Sequence, residues 1–316
     1  MEVLSVFWNL AMAAAALFVF IGGLQVMRAG LEAMVDSRLP ALLHQLARTP
    51  GRGILTGTVI TAFVQSSAAI TAAAVGLVAG GSLVFRDALG IVLGANVGST
   101  ITPQLLSLDL TAAAVVTLAI GTAGWMFGGP RVRQICRALT GFSCVFIALH
   151  VLELALQPVA QTVWFQKWLQ GAAGNPVVAL LTGCLASAVV QSSTVTTVIA
   201  MALAVDGVLP VPSGIAIVFG ANVGTCVTSV IASIGQIRPA QQVALAHVLL
   251  NAGGALAFLP LLGPYSRLMA ALAENPAQQI ANAHTVFNVL CTLLVWPIAH
   301  PFARLVEWLL PDHRHA

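Results

Sequence analysis

The chain has 316 residues, 59% of them hydrophobic and only 7% charged, with a formal net charge of +3. Soluble domains carry roughly 25% charged residues, and the mean hydropathy here is +0.95, so the composition excludes an ordinary soluble domain and points to a membrane protein. The charge is scattered and forms no basic run of the kind that binds nucleic acid. A β-barrel would alternate apolar and polar residues in segments of about ten. Unbroken apolar runs such as Leu110–Phe127 and Ile135–Leu156 predict helices instead, because lipid obliges the backbone to satisfy its own hydrogen bonds.

In chain order, Leu4–Met27 predicts a first transmembrane helix. It is too long for the apolar core of a signal peptide and is read as retained, with Arg28 just beyond it. An amphipathic interfacial stretch over 30–47 follows. Segments 52–66 and 67–81 then meet at Gln65-Ser66-Ser67. Each is shorter than the about 20 residues a crossing needs, so the pair predicts a re-entrant hairpin or broken helix with its junction at membrane depth. Helices over 86–107 and 110–128 complete the first half. The second half predicts a helix over 135–157, an interfacial stretch around Trp164–Leu169, and a second short pair over 176–206 about Gln191-Ser192-Ser193. Helices over 212–234, 241–262 and 278–299 follow, with an amphipathic end to about 310. The five cysteines sit inside apolar segments without a CxxC pair, which suits packing rather than metal binding.

The chain repeats itself. Residues 61–71 read TAFVQSSAAIT and 187–197 read SAVVQSSTVTT; 90–98 read GIVLGANVG and 216–224 read AIVFGANVG. Gln65 and Gln191 are 126 positions apart (191 − 65), as are Gly94 and Gly220 (220 − 94). Pro50 pairs with Pro176, Gly57 with Gly183 and Gly81 with Gly207 at the same spacing. Roughly twenty of the fifty-odd positions from Pro50 to Thr102 match their partners without a gap, the mark of a duplication.

Transporters commonly insert such repeats in opposite orientations and hold substrate where they meet. Arg28, Arg38, Arg48 and Arg52 make the segment after the first helix read as cytoplasmic. The matching segment of the second half, Gln157 to Pro176, holds only Lys167 and reads as external. With Arg131, Arg133, Arg137, Arg238, Arg304 and Arg314 inside, the basic residues favour inverted topology. The expected fold is therefore an all-α integral membrane protein of two inverted repeats, 1–130 and 131–316, each with a re-entrant or broken-helix hairpin.

Both Gln-Ser-Ser clusters carry uncharged donors and acceptors. If each opens a helix, its free N–H groups and positive dipole end make an anion site without any arginine. Nearby oxygens would suit a hard cation such as Na⁺. Gly94-Ala95-Asn96-Val97-Gly98 and Gly220-Ala221-Asn222-Val223-Gly224 suggest locally opened helix, with Asn, hydroxyls and freed carbonyls as cation ligands. The ionisable groups deep in the chain are His150, Glu153, His247 and His284. His247-x-x-x-Asn251 and His284-x-x-x-Asn288 place His and Asn on one helical face and are expected to bond between helices, since the first half has no counterpart.

At these residues the chain resembles the type II sodium–phosphate cotransporter family. The paired Gln-Ser-Ser and Gly-Ala-Asn-Val-Gly segments and the His-x-x-x-Asn that follows carry the likeness, which runs from Phe20-Ile21-Gly22-Gly23 to His284-Thr285-Val286-Phe287-Asn288. The resemblance implies Na⁺-coupled symport of inorganic phosphate by alternating access in a bacterial inner membrane, with Na⁺ as coupling ion, no cofactor, and room for a homodimer. It implies that Gln65, Ser66, Ser67, Gln191, Ser192, Ser193 and Thr194 bind substrate. For Na⁺ it implies Gln65, Asn96, Ser99, Thr100, Gln191, Thr197, Asn222 and Thr225. The family usually has a third Ser after Gln-Ser-Ser; here Ala68 and Thr194 stand there, so the two half-sites are not equivalent. The appended cytoplasmic domain of many bacterial members, and a long cysteine-bearing external loop, are not expected. The alternative on the same scaffold is a transporter or exporter of another small anion. An enzyme is disfavoured because no base is placed to activate the serines.

Overall fold

A computed structural model describes residues 2–35, 49–108, 110–160, 162 and 174–312. Among them every regular element is a helix. Six stretches are long and apolar enough to cross a membrane: Val6–Met34, Phe85–Leu106, Pro130–Leu152, Val211–Ser233, Arg238–Leu272 and Pro276–Leu309. The chain is thus an all-α, multi-spanning membrane protein. Phe18, Phe127, Val189 and Trp308 stand well exposed on its outside, as lipid-facing side chains should.

The first half runs α1 (Glu2–Val35), α2 (Pro50–Val64), α3 (Ser67–Ala79), α4 (Phe85–Gly98), α5 (Ile101–Leu106) and α6 (Thr111–Phe127). The second runs α7 (Pro130–Ala160), α8 (Pro176–Val190), α9 (Ser193–Val205), α10 (Val211–Gly224), α11 (Cys226–Ser233) and α12 (Arg238–Phe258). Then come α13 (Leu262–Leu272), α14 (Pro276–Val295) and α15 (Ala299–Leu309). A shift of 126 carries α2 onto α8 (176 − 50, 190 − 64), and likewise α3 onto α9 and α4 onto α10, end to end.

Matched starts come from matched chemistry. Thr49 caps α2 by accepting from the Arg52 N–H at 3.3 Å, and Asn175 caps α8 by accepting from Val177 N–H at 2.9 Å. Pro50 and Pro176 follow at the first helical turn, where a missing N–H costs nothing. Past α3 and α9 the chain turns through Gly81 (φ 70°) and Gly207 (φ 68°), a backbone region that other residues enter only with strain.

Lipid removes the hydrophobic drive between helices, so close approach through small residues must hold them. A Cβ on Gly94 would sit 2.1 Å from Ile54 O, and one on Gly220 would sit 1.8 Å from Leu180 O. Gly98 and Gly224 lie equally tight on Thr58 O and Cys184 O, at 2.4 and 2.1 Å. Thus α4 is seated on α2, and α10 on α8, by the same glycines. The Gly-Ala-Asn-Val-Gly segments therefore do not open the helix, as the sequence suggested. Both α4 and α10 run unbroken through the motif, and the glycines serve packing. The break falls one or two residues later, at Ser99-Thr100 and at Thr225.

Helices α1 and α7 form the most extensive pair in the fold. Their seam is again glycine: Gly141 would clash with Met27 N at 2.3 Å, and Gly30 with Ala138 N at 2.6 Å. The halves interlock through their hairpins. α3 packs on α11 and α12 of the second half, while α9 packs on α5 of the first. This reciprocal pattern is consistent with pseudo-symmetric repeats.

Two further sequence expectations need correction. The first helix does not stop at Met27 but continues to Val35, so Arg28 lies within it rather than in a following loop. A helix over Leu262–Leu272 also stands where none was expected, beyond a 3₁₀ turn at Leu259–Leu261 that contains Pro260. Positions 36–47 of the expected interfacial stretch, the stretch at Trp164–Leu169, and Arg38, Arg48, Lys167 and Arg314 lie outside the described residues.

Candidate functional site

Each Gln-Ser-Ser is a helix break. Gln65 ends α2 at φ 62°, and Gln191 ends α8 at φ 54°. These are the two non-glycine residues with positive φ among the described residues. Left-handed backbone costs such a residue on the order of 1–3 kcal/mol and tends to persist at functional sites. Ser66 and Ser192 then cap α3 and α9, their hydroxyls accepting from Ala69 N–H at 3.2 Å and Val195 N–H at 3.4 Å. The remaining first-turn N–H groups of α3 and α9 have no helical acceptor.

The two breaks converge. One small cavity, about 10 Å³, is lined by both Gln-Ser-Ser motifs, by Ala68 and Thr194 at the next position of each half, and by Thr225 and Arg28. That volume holds on the order of one water. The cavity is therefore bordered by two helix N-termini, hydroxyl-bearing residues and one arginine. All seven expected substrate residues meet here: Gln65, Ser66, Ser67, Gln191, Ser192, Ser193 and Thr194. Arg28 was not anticipated as a lining residue. Its helical spacing from Leu24, which borders a neighbouring cavity with Gln65, could have signalled that it shares that face.

Several buried oxygens at the breaks lack hydrogen-bond partners, and they come in repeat pairs. Thr61 Oγ1 and Ser187 Oγ stand four residues before the glutamines, and Thr71 and Thr197 Oγ1 six after them. All four residues are fully buried. Gln65 Oε1 is also unpartnered, while its Nε2 donates back to Ala62 O. Buried polar groups are normally satisfied, so each exception calls for a ligand or a function. Among the described residues no three His, Cys, Asp or Glu gather as a metal site.

Asn96, Ser99, Thr100 and Asn222, also expected as cation ligands, do not line this cavity. Asn96 Nδ2 donates to Asn251 Oδ1 at 3.0 Å, and Asn222 Oδ1 pairs with His284 Nε2 at 3.1 Å. The Ser99 hydroxyl donates to Asn96 O and that of Thr100 to Val97 O, both at 2.8 Å. The two repeat-related asparagines thus each bond to a different His-x-x-x-Asn helix, α12 and α14. His247 Nδ1 meets the Ser229 hydroxyl at 3.0 Å. Interhelical bonding was the expected role of these histidines. Glu153's side chain lies outside the described residues.

The chain matches the Na⁺/Pi-cotransporter family over residues 19–154 and again over 151–275. It belongs to that family. The chain is 29% identical over 248 residues to an uncharacterised protein, YqeW, of Bacillus subtilis, covering 78% of this chain and 81% of the relative. It is 26% identical over 260 residues to the "Putative inorganic phosphate export protein YjbB" of Salmonella typhimurium. That match covers 82% of this chain but 48% of the relative, so the chain spans about half of the YjbB length. A shorter stretch of 100 residues is 36% identical to the sodium-dependent phosphate transport protein 2A of Rattus norvegicus, covering 31% of this chain and 16% of the relative. No solved structure matches the chain. Family and architecture together make this a secondary transporter, not an enzyme, and a multi-pass protein of the bacterial inner-membrane type.

Proposed function

We propose that the chain is a Na⁺-coupled symporter of inorganic phosphate, holding the anion between the two Gln-Ser-Ser hairpins. The observation that carries this reading is the convergence of two helix N-termini on one hydroxyl-lined cavity. Unbonded N–H groups and two positive dipole ends there attract an anion, and serine hydroxyls can donate to its oxygens. Gln65, Ser66, Ser67, Gln191, Ser192, Ser193 and Thr194 bind the substrate.

Na⁺ enters the reading through the orphaned oxygens. Thr61, Thr71 and Gln65 in one half, and Ser187 and Thr197 in the other, offer neutral oxygens with no partner. A desolvated hard cation is the ligand that such oxygens suit. Thr225 borders the cavity, and Gln191, Asn96, Ser99, Thr100 and Asn222 complete the proposed Na⁺ set. Na⁺ and a phosphate dianion bound together each reduce the desolvation cost of the other, which couples their transport.

In this reading the repeats, 1–130 and 131–316, are inverted, the hairpins re-enter the membrane from opposite faces, and the halves rock about the site. A homodimer is compatible with it. The relatives named for phosphate export favour a second reading, in which the same scaffold releases phosphate or another small anion. The direction of a coupled transporter follows its gradients, so both readings share one site.

Phosphate uptake into proteoliposomes with and without an inward Na⁺ gradient tests the proposal. Equal uptake in Na⁺ and choline would refute Na⁺ coupling. Competition by arsenate, sulfate and carboxylates sorts the anions. Labelling that finds the loops near Arg38 and Lys167 on the same face would sink the inverted topology.

A further inference from the structure

We propose that Arg28 is the fixed positive charge of this site, binding a tetrahedral oxyanion directly through its guanidinium. The inference rests on the reading above that an anion is held between the hairpins. Arg28 borders the cavity with both serine pairs, and its Nε is buried without a hydrogen-bond partner. Glu32, one turn further along α1, is exposed, and among the described residues no ion pair forms to Arg28. A buried guanidinium nitrogen with an open donor is costly unless something completes it. The planar fork of arginine fits two oxygens of a tetrahedral anion.

Three further observations give the arginine a specific place. Gln65, which shares the cavity, is itself more than nine-tenths buried and has an unpartnered Oε1. The α1–α7 glycine seam flanks Arg28 on both sides, through Met27 and Gly30, so its Cα cannot drift. Finally, Arg28 has no counterpart in the repeat: position 154 (28 + 126) is Leu154, on the exposed face of α7. The half that supplies the charge is also the half with Ala68 where the other has the Thr194 hydroxyl. One half thus offers a cation and the other an extra hydroxyl.

The test is anion-dependent thermal stabilisation of the full chain in detergent, titrated with phosphate, arsenate, sulfate and chloride. Arg28→Gln should weaken phosphate by about tenfold to a hundredfold, and Arg28→Lys, which keeps charge but loses the fork, by less. Wild-type affinity in Arg28→Gln overturns the proposal while leaving the phosphate reading intact. If the wild type ignores phosphate but binds sulfate, and Arg28→Gln loses sulfate, the phosphate reading fails and Arg28 stands. A wild type that no anion stabilises overturns both. Should Arg28→Gln not fold, Arg28→Lys carries the test: unchanged phosphate affinity in it overturns the role of the guanidinium.

Discussion

The two Gln-Ser-Ser hairpins share a backbone and differ in their surroundings. Both end one helix in a left-handed glutamine and start the next on a serine cap. Yet Gln65 is buried and Gln191 is exposed. The first hairpin has Ala68 where the second has Thr194, and the cavity they share is also lined by Arg28 and Thr225. Duplication fixed the turn geometry, which both halves need in order to aim N–H groups at one point. The side chains around it were then free to diverge, and in the proposed reading an anion in one shared cavity needs each kind of contact only once.

The comparison can be broken at the backbone or sharpened at the side chains. The largest effect is expected from Gly220→Ala, whose new Cβ would lie 1.8 Å from Leu180 O. Backbone cannot yield as a side chain can, so a loss of about 3 kcal/mol or more, or no folded protein, should appear in thermal unfolding. Gly94→Ala, at 2.1 Å from Ile54 O, should behave alike; tolerance of one but not the other would show that the halves do not share this seam.

Next come the half-site hydroxyls. Thr194→Ala should lower apparent phosphate affinity by about tenfold, the worth of one hydrogen bond to a charged ligand. Ala68→Ser should raise it or leave it unchanged, and a loss would show that the first half has no room for the added oxygen. The glutamines test strain against function. Gln191→Gly should stabilise the chain by about 1 kcal/mol, since glycine accepts positive φ freely and the side chain lost is exposed, while transport falls. Thermal melts and uptake on one preparation would check both. The smallest effect is Gly76→Ala, which makes the first half match Ala202 of the second. Nothing lies within 4 Å of the added Cβ, so better helix propensity should add at most about 1 kcal/mol.

Much of this was legible in the sequence. The sequence placed the starts of α2, α3 and α4 and of their partners within two residues, because proline, capping and turn glycines recur at the same offsets, but it ran α4 and α10 on through the breaks at Ser99-Thr100 and Thr225. Gln65 and Gln191 could be assigned to the breaks since neither flanking segment can span lipid. What failed was reading glycine as flexibility. In Gly94 and Gly220 it is contact, and only the neighbouring helix reveals that. Arg28 was misread for the opposite reason: a charge suggests a loop in a hydropathy count, whereas α1 carries it onward as far as Val35. The turn at Leu259–Leu261 hid α13, since an apolar run does not show where a helix bends.

The glycine seams have a mechanical consequence. Within each half, backbone rests on backbone, and neither helix of α2–α4 or α8–α10 can slip past the other without lifting over a carbonyl. The same grip crosses between the halves at α1–α7, where Gly141 rests on Met27 N and Gly30 on Ala138 N. Elsewhere the halves meet through side chains: Gln104 Nε2 is shared by Asn282 and Thr285, and Thr292 reaches Leu93 O at 3.2 Å. Any displacement of one half against the other must therefore carry α1 and α7 together and be taken up where side chains alone make the contact.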